Sequence, residues 1–121
     1  MPAKSILIVD DSLLIVDRLQ TMLKELDNPG PVGCALDYPS AMQQIKESLP
    51  DIVLLDINLP GGNGIGILRY IKTQLPATVV IMLTNQADDY YRNICRKWGA
   101  DFFIDKSREF DQVIPVLSTI L

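Results

Sequence analysis

The sequence predicts a single α/β domain, residues 1–121, in which a parallel sheet carries helices on both faces. Four apolar runs are continuous rather than alternating, which is typical of strands buried on both sides: Ile6–Val9, Ile52–Leu55, Val79–Leu83 and Phe102–Ile104. Between the runs, apolar residues recur at three- and four-residue steps, the spacing of helices packed on a sheet. Strand and helix alternate along the whole chain with short connections, which is the pattern of an α/β fold.

The remaining elements follow from weaker signals. A fifth strand is predicted at Val32–Leu36, at an edge of the sheet, because Gly33 lies within it and the turn sequence Asn28-Pro29-Gly30-Pro31 precedes it. Five helices are predicted from apolar spacing and capping residues. The first is capped by Ser12 and reaches Leu26, the second runs from Ala41 to Leu49 with Ser40 near its start, and the third is capped by Asn63 and stops before Pro76. The fourth covers Asp88–Trp98 and is ended by Gly99, and the fifth covers Arg108–Ile120, where Pro115 should kink the helix or delay its start.

Composition excludes several classes of function. The chain has no histidine, which removes Ser-His and Cys-His nucleophile pairs and His-ligated zinc. A net charge of −4 argues against nucleic acid as a direct partner. Cys34 and Cys95 show no CxxC spacing and are expected to be ordinary thiols. No apolar stretch approaches the roughly 20 residues of a membrane span, so a cytoplasmic protein without membrane contact is expected.

Polar residues follow each of the four continuous apolar runs. Ligands of open α/β sheets bind beyond the carboxyl ends of the strands, where these residues would converge. Capping or a simple exit to solvent explains any one of them, but is a weaker explanation for four strand ends together. The residues are Asp10-Asp11-Ser12, then Asp56, then Thr84-Asn85-Gln86, and finally Asp105-Lys106-Ser107.

This set of residue types suits phosphoryl chemistry. Three clustered carboxylates repel one another and require a counter-ion, and hard oxygen ligands favour Mg²⁺, with Mn²⁺ as a substitute. Lys106 and Thr84 would contact phosphate oxygens. One carboxylate could act as the nucleophile, because aspartate forms acyl phosphates. Catalysis would consist of positioning and charge neutralisation.

Four segments, taken in their order along the chain, resemble the receiver domain of two-component response regulators, in particular the chemotaxis receivers. These are ILIVDDS, DIVLLDINLPGGNG, VVIMLTN and GADFFIDKS, and the resemblance covers nearly the whole chain. It implies a doubly wound, flavodoxin-like fold with five parallel strands in the order 2-1-3-4-5 and five helices. It also implies a phosphorelay switch rather than a turnover enzyme.

The resemblance implies a role for each site residue. Asp56 would accept a phosphoryl group from a histidine kinase or phosphotransfer protein, and Thr84 and Lys106 would hold it. Asp11 and Asp56 would bind Mg²⁺ directly, Asp10 mainly through water, and the backbone carbonyl of Asn58 would complete the protein ligands.

A second set of roles concerns switching. Phe103 takes the place of the family's aromatic switch residue, which turns inward when Thr84 moves. The readout face would be the fourth helix, fifth strand and fifth helix, and it would control an output domain or partner protein.

Two positions depart from the family pattern. Asn85 stands where a small residue is usual, and we expect its side chain to restrict access to the phosphorylation site, although it could instead orient an attacking water. Ser107 follows Lys106 where a proline in a cis bond is usual, so the Lys106–Ser107 bond is either cis and strained or trans.

Three alternatives compete with this interpretation. A flavin-binding module would need a neutral, glycine- and hydroxyl-rich loop where Asp10 and Asp11 stand. A phosphatase of the haloacid dehalogenase type would need Asp-x-Asp-x-Thr after the first strand. The third alternative is a receiver-like protein-interaction module with little or no phosphorylation, against which the complete set of site residues argues.

Overall fold

The computed structural model describes residues 3–27 and 30–121, and its centre is a five-stranded parallel sheet. We number the strands of this sheet in chain order: β1 (Ile6–Val9), β2 (Val32–Ala35), β3 (Ile52–Leu55), β4 (Val79–Thr84) and β5 (Phe102–Asp105). Their order across the sheet is β2-β1-β3-β4-β5. The predicted fold class and strand order are confirmed.

Five α-helices connect and follow the strands. Their bounds are α1 (Leu13–Leu23), α2 (Tyr38–Ser48), α3 (Gly64–Gln74), α4 (Asp89–Lys97) and α5 (Val113–Ile120). The predicted caps Ser12 and Asn63 each accept a hydrogen bond from a first-turn amide, and Asp88, predicted as the first residue of the fourth helix, caps α4 in the same way. Gly99 follows α4 with φ +91°, a left-handed conformation that glycine adopts without strain.

The helices pack on both faces of the sheet because successive strand residues point to opposite sides. On one face, β1 contributes Leu7 and Val9 to a core shared with α2, α3 and α4. On the other face, Ile6 and Ile8 pack against α1 and α5. The central strands are therefore apolar on both sides, which is why their sequences are continuous apolar runs.

Several predicted helix bounds were wrong. Helix α2 begins at Tyr38 rather than near Ala41, because Asp37 accepts hydrogen bonds from the amide and hydroxyl of Ser40 and Pro39 suits the first turn. Helix α1 ends at Leu23, three residues before Leu26. Residues 110–112 form a 3₁₀ turn and α5 begins at Val113 rather than Arg108, which confirms the delayed start predicted from Pro115. Pro115 lies in the first turn, where its missing amide proton costs nothing.

Two features lie outside the main sheet. Asn58–Leu59 pairs with Gly62–Asn63 in a short antiparallel ribbon between β3 and α3. In the predicted turn before β2, Asn28 and Pro29 lie outside the described residues. Across residues 3–27 and 30–121, no helix has the length and apolar character needed to cross a membrane.

Candidate functional site

The carboxyl ends of β1 and β3 place two aspartates side by side in the middle of the sheet. The Asp10 amide donates to the Ala35 carbonyl and the Asp56 amide to the Val9 carbonyl, at 3.1 and 3.0 Å, so the main chain continues its pairing to each acidic residue. Asp10 is 3% exposed and Asp56 7% exposed. Two acidic side chains are therefore held almost out of water by the paired central strands.

Lys106, at the end of β5, neutralises this pair. Its Nζ donates to Asp10 Oδ2 at 2.6 Å and to Asp56 Oδ2 at 2.8 Å. Burial is the largest influence on Asp10 and raises its pKa, against hydrogen bonds from Lys106 and Ser12 that lower it. Burial alone would lower the pKa of Lys106, but its bonds to the two carboxylates outweigh burial and raise that pKa. The ammonium thus supplies the counter-ion that the clustered carboxylates require.

The carboxylates of Asp10, Asp11 and Asp56 also form a group that could hold a metal ion. One ligand oxygen from each lies within 4.8 Å of the others, and Asp11, unlike its two neighbours, is exposed. When all groups are ionised, three carboxylates and one ammonium leave an excess of negative charge that a divalent cation would balance. The donor set fits Mg²⁺, which prefers carboxylate oxygens and retains several waters. The predicted ligand Asn58 begins the short ribbon, and the role of its carbonyl stays a prediction.

Thr84 ends β4 beside the lysine loop. Its side chain is fully buried, and its Oγ1 accepts a hydrogen bond from the Gln86 amide at 3.1 Å. The amide of Lys106 donates to the Thr84 carbonyl at 2.9 Å, which joins the loops that follow β4 and β5. The predicted threonine and lysine are thus adjacent in the structure.

The two residues that depart from the family pattern contact each other. The Ser107 hydroxyl donates to Asn85 Oδ1 at 2.7 Å, and both side chains are exposed. The described backbone contains no cis peptide bond, so the Lys106–Ser107 bond is trans. The Asp105 carboxylate accepts from the amides of Ser107 and Arg108, which stabilises this turn without a proline.

Phe103 is half-buried on β5, where its ring packs against the core beneath α4. The Arg92 guanidinium lies 4.8 Å from the centre of that ring. Arg92 also donates to the Ala87 carbonyl at 2.9 Å and to Glu109 Oε1 at 3.2 Å. Glu109 accepts in addition from the Asp105 amide at 3.0 Å.

Sequence reasoning missed Arg92 and Glu109. They lie 17 positions apart on different elements, and no motif pairs residues at that distance. The structure shows that together they connect α4, the ring of Phe103 and the loop that carries Lys106.

Gly64, the first residue of α3, was also missed. Its amide donates to the Ile57 carbonyl at 2.7 Å, and a Cβ at this position would overlap the Asp56 carbonyl oxygen. Helix α3 therefore starts in direct contact with the main chain of the predicted phosphoacceptor. The residues Gly-Gly-Asn-Gly at 61–64 carried a signal for a close backbone approach, but not for its location.

Carboxylates, a threonine and a lysine thus lie together at the carboxyl ends of the parallel strands, a set of groups able to bind a metal ion and a phosphoryl group. Residues 6–118 match the response regulator receiver domain, and the chain belongs to this family.

Individual relatives agree with this assignment. The chain is 27% identical to the transcriptional regulatory protein MctR of Rhizobium johnstonii over 98% of this chain and 56% of that protein. It is also 27% identical to the DNA-binding transcriptional activator EvgA of Escherichia coli K12, over 92% of this chain and 54% of that protein. The chain thus spans about half the length of these relatives.

A solved structure shows the same fold. The response regulator domain of Thermotoga maritima CheB superposes with a TM-score of 0.84 and 29% identity, covering 98% of this chain and 92% of that domain.

Proposed function

We propose that this chain, as one domain over residues 1–121, is a Mg²⁺-dependent phosphoacceptor switch that takes a phosphoryl group onto Asp56 from a phosphohistidine. The supporting observation is Lys106, whose ammonium lies between two buried carboxylates next to an exposed third one. In the reaction, an Asp56 oxygen would form a bond to phosphorus while the P–N bond breaks and its electron pair returns to the donor imidazole. Residues 1–121 contain no histidine, so the donor histidine would lie outside them, on a histidine kinase or phosphotransfer protein.

Each site residue has a defined task in this proposal. Bound Mg²⁺ would neutralise charge on the phosphoryl oxygens, held by Asp10, Asp11, Asp56 and the Asn58 carbonyl. The Lys106 ammonium would exchange its hydrogen bond with the Asp56 carboxylate for one with a phosphoryl oxygen. Of these groups only Asp56 would form a covalent bond. The others would position the phosphoryl group and neutralise its charge.

The switch would follow from Thr84. Its hydroxyl oxygen accepts a hydrogen bond from the Gln86 amide in this structure. In the phosphorylated protein the hydroxyl would donate to the phosphoryl group and draw the β4–α4 loop inward. Phe103 would then turn toward the space that Thr84 leaves and lose its contact with Arg92. The face formed by α4, β5 and α5 would change, and an output domain or partner protein would bind it differently.

The exposure of this face supports the proposal. Tyr90 at the start of α4 is 66% exposed, and its ring contacts Tyr91 edge-on at 5.1 Å. Exposed tyrosine is enriched in protein interfaces. We also propose a cytoplasmic location, since Cys34 and Cys95 are free thiols, as is usual in reducing compartments.

The proposal is tested by comparing phosphorylation of the unchanged chain with that of the Asp56→Asn variant. Incubation of the unchanged chain with Mg²⁺ and acetyl phosphate should add one phosphoryl group, seen as a single mass increase that is absent in Asp56→Asn. Asp89→Asn is the matched control, because Asp89 is an exposed carboxylate on α4. Equal labelling of Asp56→Asn would exclude Asp56 as the acceptor. No labelling of the unchanged chain, even by a histidine phosphodonor protein, would favour the interaction module.

A further inference from the structure

The loops that carry Thr84 and Lys106 are joined twice. The first link is the main-chain bond from the Lys106 amide to the Thr84 carbonyl. The second lies one residue further along each loop, where the Ser107 hydroxyl donates to Asn85 Oδ1 at 2.7 Å. Each partner of the side-chain link therefore directly follows a residue that would contact the phosphoryl group.

The direction of this hydrogen bond decides which chemistry Asn85 can perform. An asparagine amide accepts hydrogen bonds only at its carbonyl oxygen, and its NH₂ group only donates. The hydrogen bond from Ser107 directs the Asn85 oxygen toward the loop that follows β5. The NH₂ group, on the other branch of the amide, is thus directed away from Ser107.

Hydrolysis of an acyl phosphate at Asp56 needs an acceptor beside the attacking water. The water oxygen forms a bond to phosphorus as the bond from phosphorus to the Asp56 oxygen breaks, and the electron pair returns to the carboxylate. The water also gives up a proton to solvent or to the phosphate. A neighbouring acceptor orients such a water, whereas a neighbouring N–H occupies the lone pair with which it attacks.

We propose that Ser107 is a positioning residue that prolongs the phosphorylated state by holding the Asn85 oxygen away from the attacking water. The inference rests on the proposed phosphorylation of Asp56 and adds to it the residue that sets the lifetime of the product. It also decides between the two roles that the sequence left open for Asn85: with Ser107 bound to its oxygen, Asn85 restricts access and does not activate water.

The surroundings of Ser107 allow a clean test. Its amide donates to Asp105 Oδ1 at 2.9 Å, so the turn keeps its shape when only the hydroxyl is removed. The side chain is exposed, and Ser107→Ala leaves no buried polar group without a partner. Ser107→Thr retains the hydroxyl. Ser48→Ala is the matched control, because Ser48 is also exposed and its hydroxyl donates within α2, to the Gln44 carbonyl.

The experiment is the decay of phospho-Asp56 after removal of acetyl phosphate, at fixed Mg²⁺. Ser107→Ala should shorten the half-life by a factor of about two to ten, the range that corresponds to one neutral hydrogen bond. Ser107→Thr and Ser48→Ala should decay at the wild-type rate. Asn85→Ala should also shorten the half-life, and adding Ser107→Ala to it should cause no further change, because Ser107 acts through Asn85.

Each other outcome overturns the inference in a recognisable way. An unchanged or longer half-life in Ser107→Ala shows that the hydroxyl does not protect the phosphoryl group. Acceleration by Ser107→Ala in the Asn85→Ala background shows that Ser107 does not act through Asn85. Acceleration in Ser107→Thr shows that the hydroxyl is not the cause. If the unchanged chain takes up no phosphoryl group, the proposed function itself fails, and that result is visible before any decay is measured.

Discussion

The middle of the sheet and its β4–β5 edge hold their functional side chains by different kinds of contact. In the middle, Asp10 and Asp56 are buried and joined to Lys106 by charged hydrogen bonds of 2.6 and 2.8 Å. At the edge, the Asn85–Ser107 and Arg92–Glu109 pairs lie among exposed or half-exposed side chains. Buried charged pairs are costly to break, whereas exposed pairs contribute little each.

This difference suits the proposed switch, which would keep one part fixed while another part moves. The middle would hold the reacting groups in place through the transfer, since its strands are paired on both sides. The edge would rearrange at low cost, because each of its contacts can be exchanged for water. The predictions below test this division, beginning with the largest expected effect.

The largest effect is expected from Lys106→Met. Without the ammonium, the carboxylates of Asp10 and Asp56 face each other almost out of water, and we expect a loss of about 2 kcal/mol in the free energy of unfolding. Adding Asp10→Asn should restore part of it by removing one of the repelling charges. Urea denaturation without metal measures both, with Lys24→Met, at the exposed residue that follows α1, as control. Equal stability of Lys106→Met and wild type would show that the middle does not depend on its charge pairs.

The second prediction concerns metal. Mg²⁺ should raise the melting temperature, and above its dissociation constant each tenfold rise in concentration should add about 1.4 kcal/mol of stability. Asp11→Asn should remove most of this response while leaving the metal-free stability unchanged, because Asp11 is exposed. Asp17→Asn, exposed on α1, should keep the full response. A large loss of metal-free stability in Asp11→Asn would instead make that carboxylate structural.

The third prediction concerns Arg92→Ala at the edge. Its contacts with Phe103, Ala87 and Glu109 are partly exposed, so we expect a loss of about 1 kcal/mol of stability. Because Phe103 is then free to turn, uptake of phosphoryl groups from acetyl phosphate should become faster. Arg96→Ala, exposed on the same helix, is the control. Unchanged uptake in Arg92→Ala would show that Arg92 does not hold the switch aromatic.

The smallest effect is expected for the pH dependence of the stability that Glu109 contributes at the β4–β5 edge. Hydrogen bonds from the Asp105 amide and from Arg92 lower the pKa of Glu109. A lowered folded-state pKa stabilises the protein above the ordinary value of 4.5, and this contribution is lost as the pH falls through the folded-state pKa. The difference in unfolding free energy between wild type and Glu109→Gln should therefore be at most about 0.5 kcal/mol at pH 7 and should vanish in acid. A difference that stays constant between pH 7 and pH 3 would contradict this.

The sequence predicted the middle of the site better than the edge. Asp10, Asp56 and Thr84 directly follow continuous apolar runs and Lys106 comes two residues after one, so parallel strands bring all four to the same end of the sheet. The family resemblance supplied their roles. The bridging position of Lys106 between two carboxylates depended on strand order as well, which periodicity alone does not give.

The edge was harder to predict because its contacts join side chains on separate elements. Asn85 and Ser107 were each recognised as departures from the family pattern. Their hydrogen bond, however, depends on how the loops after β4 and β5 are placed relative to each other. Arg92 and Glu109 looked like ordinary surface charges. The early start of α2 was missed for a local reason: Asp37 and Pro39 precede the apolar pattern on which the prediction was based.

The glycine at the start of α3 links the geometry of Asp56 to that helix. A side chain at Gly64 would overlap the Asp56 carbonyl oxygen, and the Gly64 amide donates to the Ile57 carbonyl at 2.7 Å, so the first turn of α3 lies directly against the main chain of Asp56 and Ile57. We expect a protein that displaces this turn to shift the main chain of Asp56 without touching its carboxylate. This contact offers a mechanical route by which an inhibitor that never enters the acidic site could alter its reactivity.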